Sequence, residues 1–287
     1  MRHWVSINGT LMPAEEARVS VFDSGFMQGI GLFETMRAYN GRIFRLQQHI
    51  DRLIASARTL GWTVVPDADD LHENVRQVLA PHAGADARVR LTVTTGSLHA
   101  TAADTPQLTI VATLAPADKY PDECYTRGVT VVASECRQCR GDATVGHKTT
   151  SYFARLASLR AAHAQSAFEA LWFTPEGFVA EGAISTVFVV RDEQLLTPPL
   201  DTPVLPGITR AAVFELAVEL DVPVREAPLK LDDLLASEEM FLTNSMVELV
   251  PVVRIGRQAI GNEKPGDVTR KLAIAYGDLI DRESGDE

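Results

Sequence analysis

The sequence predicts a mixed α/β (α+β) chain built as two domains. Three observations predict it. Short strand-like runs are joined by tight-turn pairs, longer segments repeat apolar residues at the helical period, and a polar stretch with two prolines separates two such sets. The 287 residues suffice for two hydrophobic cores. An apolar fraction of 46% and a charged fraction of 23% are those of an ordinary soluble globular protein.

The elements follow in order. WVSINGTLMPAEEARVSVFD reads as short strands around an Asn8-Gly9 turn, and FETMRAYNGRIFRL repeats the pattern around Asn40-Gly41. In LQQHIDRLIASARTLGW, Leu46, Ile50, Leu53, Ile54, Ala57 and Leu60 follow the helical period, and a second helix is expected at about 69–80. RVRLTVTTGS and QLTIVATLA read as strands. The polar segment 115–128 marks the boundary, with domains at 1–116 and 128–287 and a linker at 117–127. Beyond it come a strand at GVTVVASE, a helix at 152–165, and short strands at EALWFT, FVAEG, TVFVVRD and QLLTPP. A helix at TRAAVFELAVEL, a strand at EEMFLTN and a last helix at KPGDVTRKLAIAYGDLI complete the chain, with DRESGDE expected to fray.

The 38 acidic residues outnumber the 27 basic ones, for a net charge of −11. A general nucleic-acid or anionic-membrane surface needs a basic face, so neither partner is expected. No apolar run reaches the length of a signal peptide or a membrane span, so a cytoplasmic protein is expected. Cys124, Cys136 and Cys139 fit a reducing compartment. The single C-x-x-C lacks the other two ligands of a structural zinc site, so no metal is expected.

Four passages carry chemistry. Lys148 precedes Thr149, Thr150, Ser151 and Tyr152 rather than other charges, and a desolvated lysine has the lowered pKa that suits Schiff-base chemistry. Arg52 flanks the apolar stripe of its helix, where it either reaches solvent or turns inward to grip a phosphate. In LPGITR, Pro206-Gly207 turns the chain and Thr209 is placed to cap a helix whose free N–H groups suit an anion. Glu181 stands among Phe, Val, Ala and Ile, where a carboxylate needs a cationic partner. Aldehyde, phosphate and pyridinium together describe pyridoxal phosphate. An ordinary capped helix, a snorkelling arginine and a solvated turn glutamate remain the plain readings of each part.

The order of the segments resembles the class IV family of pyridoxal-phosphate enzymes: branched-chain aminotransferases, D-amino-acid aminotransferases and aminodeoxychorismate lyases. It runs from INGTLMPAEEARVSVFDSGFMQGIGLFETMRAYNG through GHKTTSY and EALWFTPEGFVAEGAISTVFVV to LPGITR and FLTNSMVELVPV. The resemblance implies a two-domain type IV fold with the cofactor in the interdomain cleft, and a homodimer. It implies that Lys148 carries the cofactor as a Schiff base, Arg52 binds its phosphate, and Glu181 pairs with the pyridine nitrogen. Ile208, Thr209 and Ser245 match groups at the phosphate. Tyr152 matches a tyrosine at the cofactor's phenolic oxygen, one residue closer to the lysine than in the branched-chain enzymes. Gln28, Phe33, Arg90 and Asn244 are candidates for the substrate, Arg90 for its carboxylate. Gln28 stands where many members carry an aromatic residue, and Thr186 where many carry Asn.

The expected function is transfer of an amino group from an amino acid, of branched-chain-like L type, to a 2-keto acid. Three other readings stand beside it. Lys148 serves elimination of pyruvate in an aminodeoxychorismate lyase. The donor is a D-amino acid or an R-amine. Or the chain is an idle cofactor carrier, which needs Arg52 and the helix start but not Lys148 and Glu181. His49, Trp62 and Trp172 read as structural.

Overall fold

The computed structural model describes residues 3–82, 84–98, 107–117 and 119–284. The chain packs as two compact units, one of Met1–Asp118, His147–Ser151 and Ile280–Glu287, the other of Lys119–Gly146 and Tyr152–Leu279.

The first unit contains β1 (Trp4–Ile7), β2 (Thr10–Pro13), α1 (Ser24–Gln28), β3 (Gly31–Tyr39), β4 (Arg42–Ile43), α2 (Leu46–Thr59), α3 (Ala68–Leu79), β5 (Ala87–Thr94) and β6 (Thr109–Pro116). Its sheet runs β2-β1-β6-β5-β3-β4, antiparallel throughout. Both expected hairpins form. Asn8 and Gly9 have φ of 47° and 75°, and Asn40 and Gly41 have 50° and 78°, the left-handed pair that a two-residue turn between twisted strands requires. Period-two alternation puts Leu32, Met36, Val89, Leu91 and Val93 on one face. There they meet Ile50, Leu53 and Ala57 of α2 and Leu71, Val75 and Val78 of α3.

The second unit contains α4 (Asp122–Thr126), β7 (Val129–Arg137), α5 (Phe153–Ala164), β8 (Glu169–Phe173), β9 (Val179–Gly182), β10 (Thr186–Arg191), β11 (Gln194–Thr197), α6 (Ile208–Glu219), β12 (Val224–Glu226), α7 (Leu231–Leu235), β13 (Glu239–Asn244), β14 (Glu248–Ile255), β15 (Gln258–Ala259) and most of α8 (Asp267–Ser284). The sheet order is β12-β11-β10-β13-β14-β7-β8-β9, with β15 on β14. β7 lies parallel to both β14 and β8. Every residue of β8 is buried, Glu169 included, as the apolar run from Ala170 to Phe173 requires of a strand covered on both faces. Phe188 stacks on Phe241 at 5.1 Å in this core.

Two expectations change. The segment DRES is helical, because α8 runs to Ser284, which is buried, and Arg45 holds Glu283 at 3.1 Å. The rest of the tail, 285–287, lies outside the described residues. The stretch carrying Lys148, placed by the sequence with the later domain, packs with the first unit. Its main chain pairs with β3, where the amide of Phe33 donates to the Lys148 carbonyl at 2.8 Å and that of Thr150 to Gly31 at 2.9 Å.

Candidate active site

In the first unit the site begins at the edge of β3. The 148–150 segment lies along it as an extra short strand, with Leu32 facing Thr149. Its hydroxyls serve this docking: Thr150 Oγ1 donates to the Gly29 carbonyl at 2.6 Å and Ser151 Oγ reaches the same oxygen at 3.3 Å. Gly31 permits the approach, since a Cβ there would lie 2.9 Å from Thr150 Oγ1 and 3.1 Å from the Val93 carbonyl. His147 ties the preceding residue to α2 through Ser56 Oγ at 2.9 Å, and burial holds its imidazole below the usual range.

Lys148 is half-buried, with Nζ 4.8 Å from the centroid of the Phe33 ring. The Arg90 guanidinium lies 3.7 Å from the same centroid. β3 and β5 account for this, because Phe33 pairs with Thr92 and Arg90 with Thr35, on the face away from the helices. Gln28 is exposed at the end of α1 and joins none of these contacts.

Arg52 turns inward. Its Nε donates to Glu34 Oε1 at 2.8 Å and its Nη2 to Oε2 at 2.5 Å, the bidentate fork of a guanidinium on a carboxylate. His49 Nδ1 lies 2.8 Å from Glu34 Oε2. Burial alone would raise the Glu34 carboxyl, but Arg52 and His49 outweigh it and bring it down to about 2. Burial holds His49 below its usual range, and the charges of Arg52 and Lys148 push the same way. Glu34 was not anticipated, although it shares the inward parity of Leu32 and Met36.

In the second unit Glu181 is 3% exposed. Arg155 Nη2 donates to its Oε1 at 2.6 Å, Gln138 Nε2 to Oε1 at 3.0 Å, and the Leu205 amide to Oε2 at 3.0 Å. Leu205 leads through Pro206 into α6, so the acid and the helix start are linked by main chain. Gly207, not Thr209, is the N-cap of α6, and it offers no side-chain cap. Thr209, buried, is the second residue of the first turn, where its own N–H is one of the uncapped groups. A Cβ on Gly207 would sit 3.0 Å from Thr186 Oγ1, so that hydroxyl lies directly at the helix start.

The remaining expected residues are dispersed in this unit. Ser245 is half-buried in the turn after β13. Asn244 holds that turn together. Its Oδ1 accepts from the amides of Met246 (2.8 Å) and Val247 (2.9 Å), and its Nδ2 donates to the Ile184 carbonyl at 3.2 Å. Tyr152 precedes α5, its ring centroid 6.0 Å from the Arg155 guanidinium. Arg155, Gln138 and Glu169 were missed by the sequence reading. Glu169 is buried, accepts from Ser185 Oγ at 3.0 Å, and is pushed up by burial to about 7. Cys136 is half-buried beside Ser158 Oγ at 3.4 Å and Cys139 is exposed. Among the described residues no group of three or more His, Cys, Asp or Glu converges on a metal position.

Comparisons with known proteins bear on this arrangement. The family described as amino-transferase class IV matches residues 31–255. A putative branched-chain-amino-acid aminotransferase of Methanocaldococcus jannaschii is 34% identical over 278 residues, 96% of each chain. A D-alanine aminotransferase of Bacillus licheniformis is 32% identical over 281 residues, again 96% of each. An aminodeoxychorismate lyase of Bacillus subtilis is 28% identical, covering 95% of this chain and 93% of that one. The crystal structure of the Escherichia coli branched-chain amino acid aminotransferase superposes with a TM-score of 0.90 at 26% identity, over 100% of this chain and 97% of that one. The branched-chain amino acid aminotransferase of Thermobaculum terrenum, in its PLP form, gives 0.85 at 25% identity, over 97% and 94%.

Proposed function

Because the chain belongs to the class IV aminotransferases, we propose that it moves an amino group from a branched-chain-type L-amino acid to a 2-keto acid, with pyridoxal 5′-phosphate held by Lys148. The observation that carries this reading is the meeting of Lys148 Nζ and the Arg90 guanidinium on one Phe33 ring, at 4.8 and 3.7 Å. An α-amino acid carries an amine and a carboxylate on one carbon, and those are the groups such a pair would receive.

The donor set fits the cofactor. Lys148 is a half-buried primary amine set among hydroxyls rather than acids. The uncapped first turn of α6, with Ile208 and Thr209, and the inward Arg52 suit a phosphate. Glu181 is a buried carboxylate fixed by three donors, suited to a ring N–H. Ser245 and Tyr152 belong to the same proposal, at the phosphate and the phenolic oxygen. Phe33 serves as a wall, and Gln28 and Asn244 as substrate-side residues.

When bound, pyridoxal phosphate supplies an aldehyde for the amine and a ring that withdraws electrons from the substrate's α-carbon. Lys148 Nζ would hold that aldehyde and, once released, would move the substrate's α-proton, as base and then as acid. Glu181 would accept a hydrogen bond from the ring N–H, and Arg90 would orient the substrate carboxylate. The proposal includes a connection between domains at 117–127 and a cytoplasmic homodimer. The exposed Val21, Phe22, Phe26, Met27 and Ile30 of the first unit offer a surface for the second copy.

The test is the visible absorption of the chain with pyridoxal phosphate, followed on adding single amino donors. L-leucine, L-isoleucine or L-valine is expected to bleach the band, and 2-oxoglutarate to restore it. Lys148→Ala should form no band. A response to D-alanine alone assigns the D-amino-acid reading. Pyruvate and 4-aminobenzoate from aminodeoxychorismate, with no keto acid added, assign the lyase. No band in the unsubstituted chain overturns the role of Lys148.

A further inference from the structure

Arg155 is a built-in partner of Glu181 that the reading above leaves without a task. An ionised carboxylate offers about four acceptor positions, two on each oxygen. Among the described residues, Oε1 of Glu181 receives both Arg155 Nη2 and Gln138 Nε2, while Oε2 receives only the Leu205 amide. Three positions are filled, and the remaining one is on Oε2.

The guanidinium is itself fixed. Nη1 donates to the Ala183 carbonyl at 3.0 Å and reaches that of Gly182 at 3.5 Å, so one planar fork spans Glu181 and the turn that follows it. Its Cζ lies 5.2 Å from the Trp172 ring. The Arg155 side chain is 19% exposed and that of Glu181 4%, so water screens the pair little. Gln138 is anchored through the same Nε2, which also donates to the Pro203 carbonyl. The charged and titratable groups facing Arg155 are Glu181, Tyr152 and Glu169. A buried carboxylate without such a partner favours its neutral form and turns freely between hydrogen-bond partners. Held by Arg155, Glu181 stays aimed before any ligand arrives.

We propose that Arg155 is the positioning residue for Glu181, fixing its side chain so that the open position of Oε2 is presented to the ring N–H of the bound cofactor. This rests on the role given to Glu181 above and adds the group that makes that role possible. Lysine would not substitute fully, since a point charge cannot span both the carboxylate and the Ala183 carbonyl.

The test compares the apo full-length chain's affinity for pyridoxal 5′-phosphate and for its 1-deaza analogue, in which C–H replaces the ring nitrogen. Both present the same aldehyde and phosphate, so the ratio of the two dissociation constants isolates the nitrogen contact. The unsubstituted chain is expected to favour the natural cofactor at least tenfold, and Arg155→Gln to reduce that preference to within about threefold. Arg155→Gln that binds both ligands with the original ratio overturns the proposal and makes Arg155 a packing residue only. An unsubstituted chain with no preference overturns the role of Glu181 itself, and the proposal with it. Should Arg155→Gln not fold, Arg155→Lys with ring-15N-labelled cofactor decides. Its ring nitrogen is expected to lose its proton at least one pH unit lower than in the unsubstituted chain, and an unchanged titration overturns the proposal.

Discussion

Glu34 decides what Arg52 can do. An arginine aimed inward from a helix needs a counter-charge, and both of its described hydrogen bonds to Glu34 are short. An ionised Glu34 has only lone pairs, so His49 Nδ1 carries the proton in their contact. The three side chains form a buried unit in which each fixes the next. Glu34→Gln is expected to cost about 3–5 kcal/mol, the range for stripping one partner from a buried ion pair. Arg52→Met should cost a similar amount, and the double variant clearly less than the sum, since each change removes the same pair. Urea midpoints at unchanged slope measure this. Strictly additive costs would show that Glu34 and Arg52 do not act together.

At the scale of elements, the strand-like docking of 148–150 on β3 is the feature on which the position of Lys148 depends. Gly31→Ala brings a Cβ to 2.9 Å from Thr150 Oγ1, with the Val93 carbonyl preventing retreat on the other side. It is expected to displace the segment and abolish the visible cofactor band while the rest of the first unit stays folded. Thr150→Val leaves the Gly29 carbonyl without that donor and should cost about 1–2 kcal/mol, with a weakened band. A normal band in Gly31→Ala would mean that the segment does not need this edge. The hairpins at Asn8-Gly9 and Asn40-Gly41 and helices α2, α3, α5 and α6 were legible because turn chemistry and apolar period are local. The docking of 148–150, the parallel placement of β7 between β14 and β8, and the Arg155–Glu181 pair join residues far apart in the chain. Glu34 left a faint trace, a charge in register with Leu32 and Met36. Arg155 left none, being one more polar residue on a helix. The cap at α6 was misread by two residues because Thr209 is a better capping type than Gly207, and only the extended backbone of Gly207 reveals the true start.

Across the whole molecule, two buried glutamates pull stability in opposite directions with pH. Glu34 is held at about 2 in the folded chain against 4.5 without the fold. Between those values the unfolded chain binds the proton and the folded chain does not, so its contribution grows with pH and is complete above 4.5. Glu169 is raised to about 7 from 4.5, so there the folded chain holds the proton and stability falls as pH rises through that window. Each displacement corresponds to about 3 kcal/mol. His49, held below 6.5, adds stability as pH rises toward that value and so opposes Glu169 over part of its range. A single stability curve therefore mixes the three, and the difference between the unsubstituted chain and Glu169→Gln isolates one. That difference in unfolding free energy is expected to stay level below pH 4.5. It should then shift by about 3 kcal/mol in favour of the variant by pH 7, and stay level beyond. The glutamine amide oxygen still accepts from the Ala170 amide, and its NH2 can donate to Ser185 Oγ once that hydroxyl turns, so the fold itself should survive the change. A difference that stays level from pH 4.5 to 7 would mean that Glu169 ionises inside the folded chain as freely as outside it, and that the 182–185 turn above it admits enough water to solvate the charge.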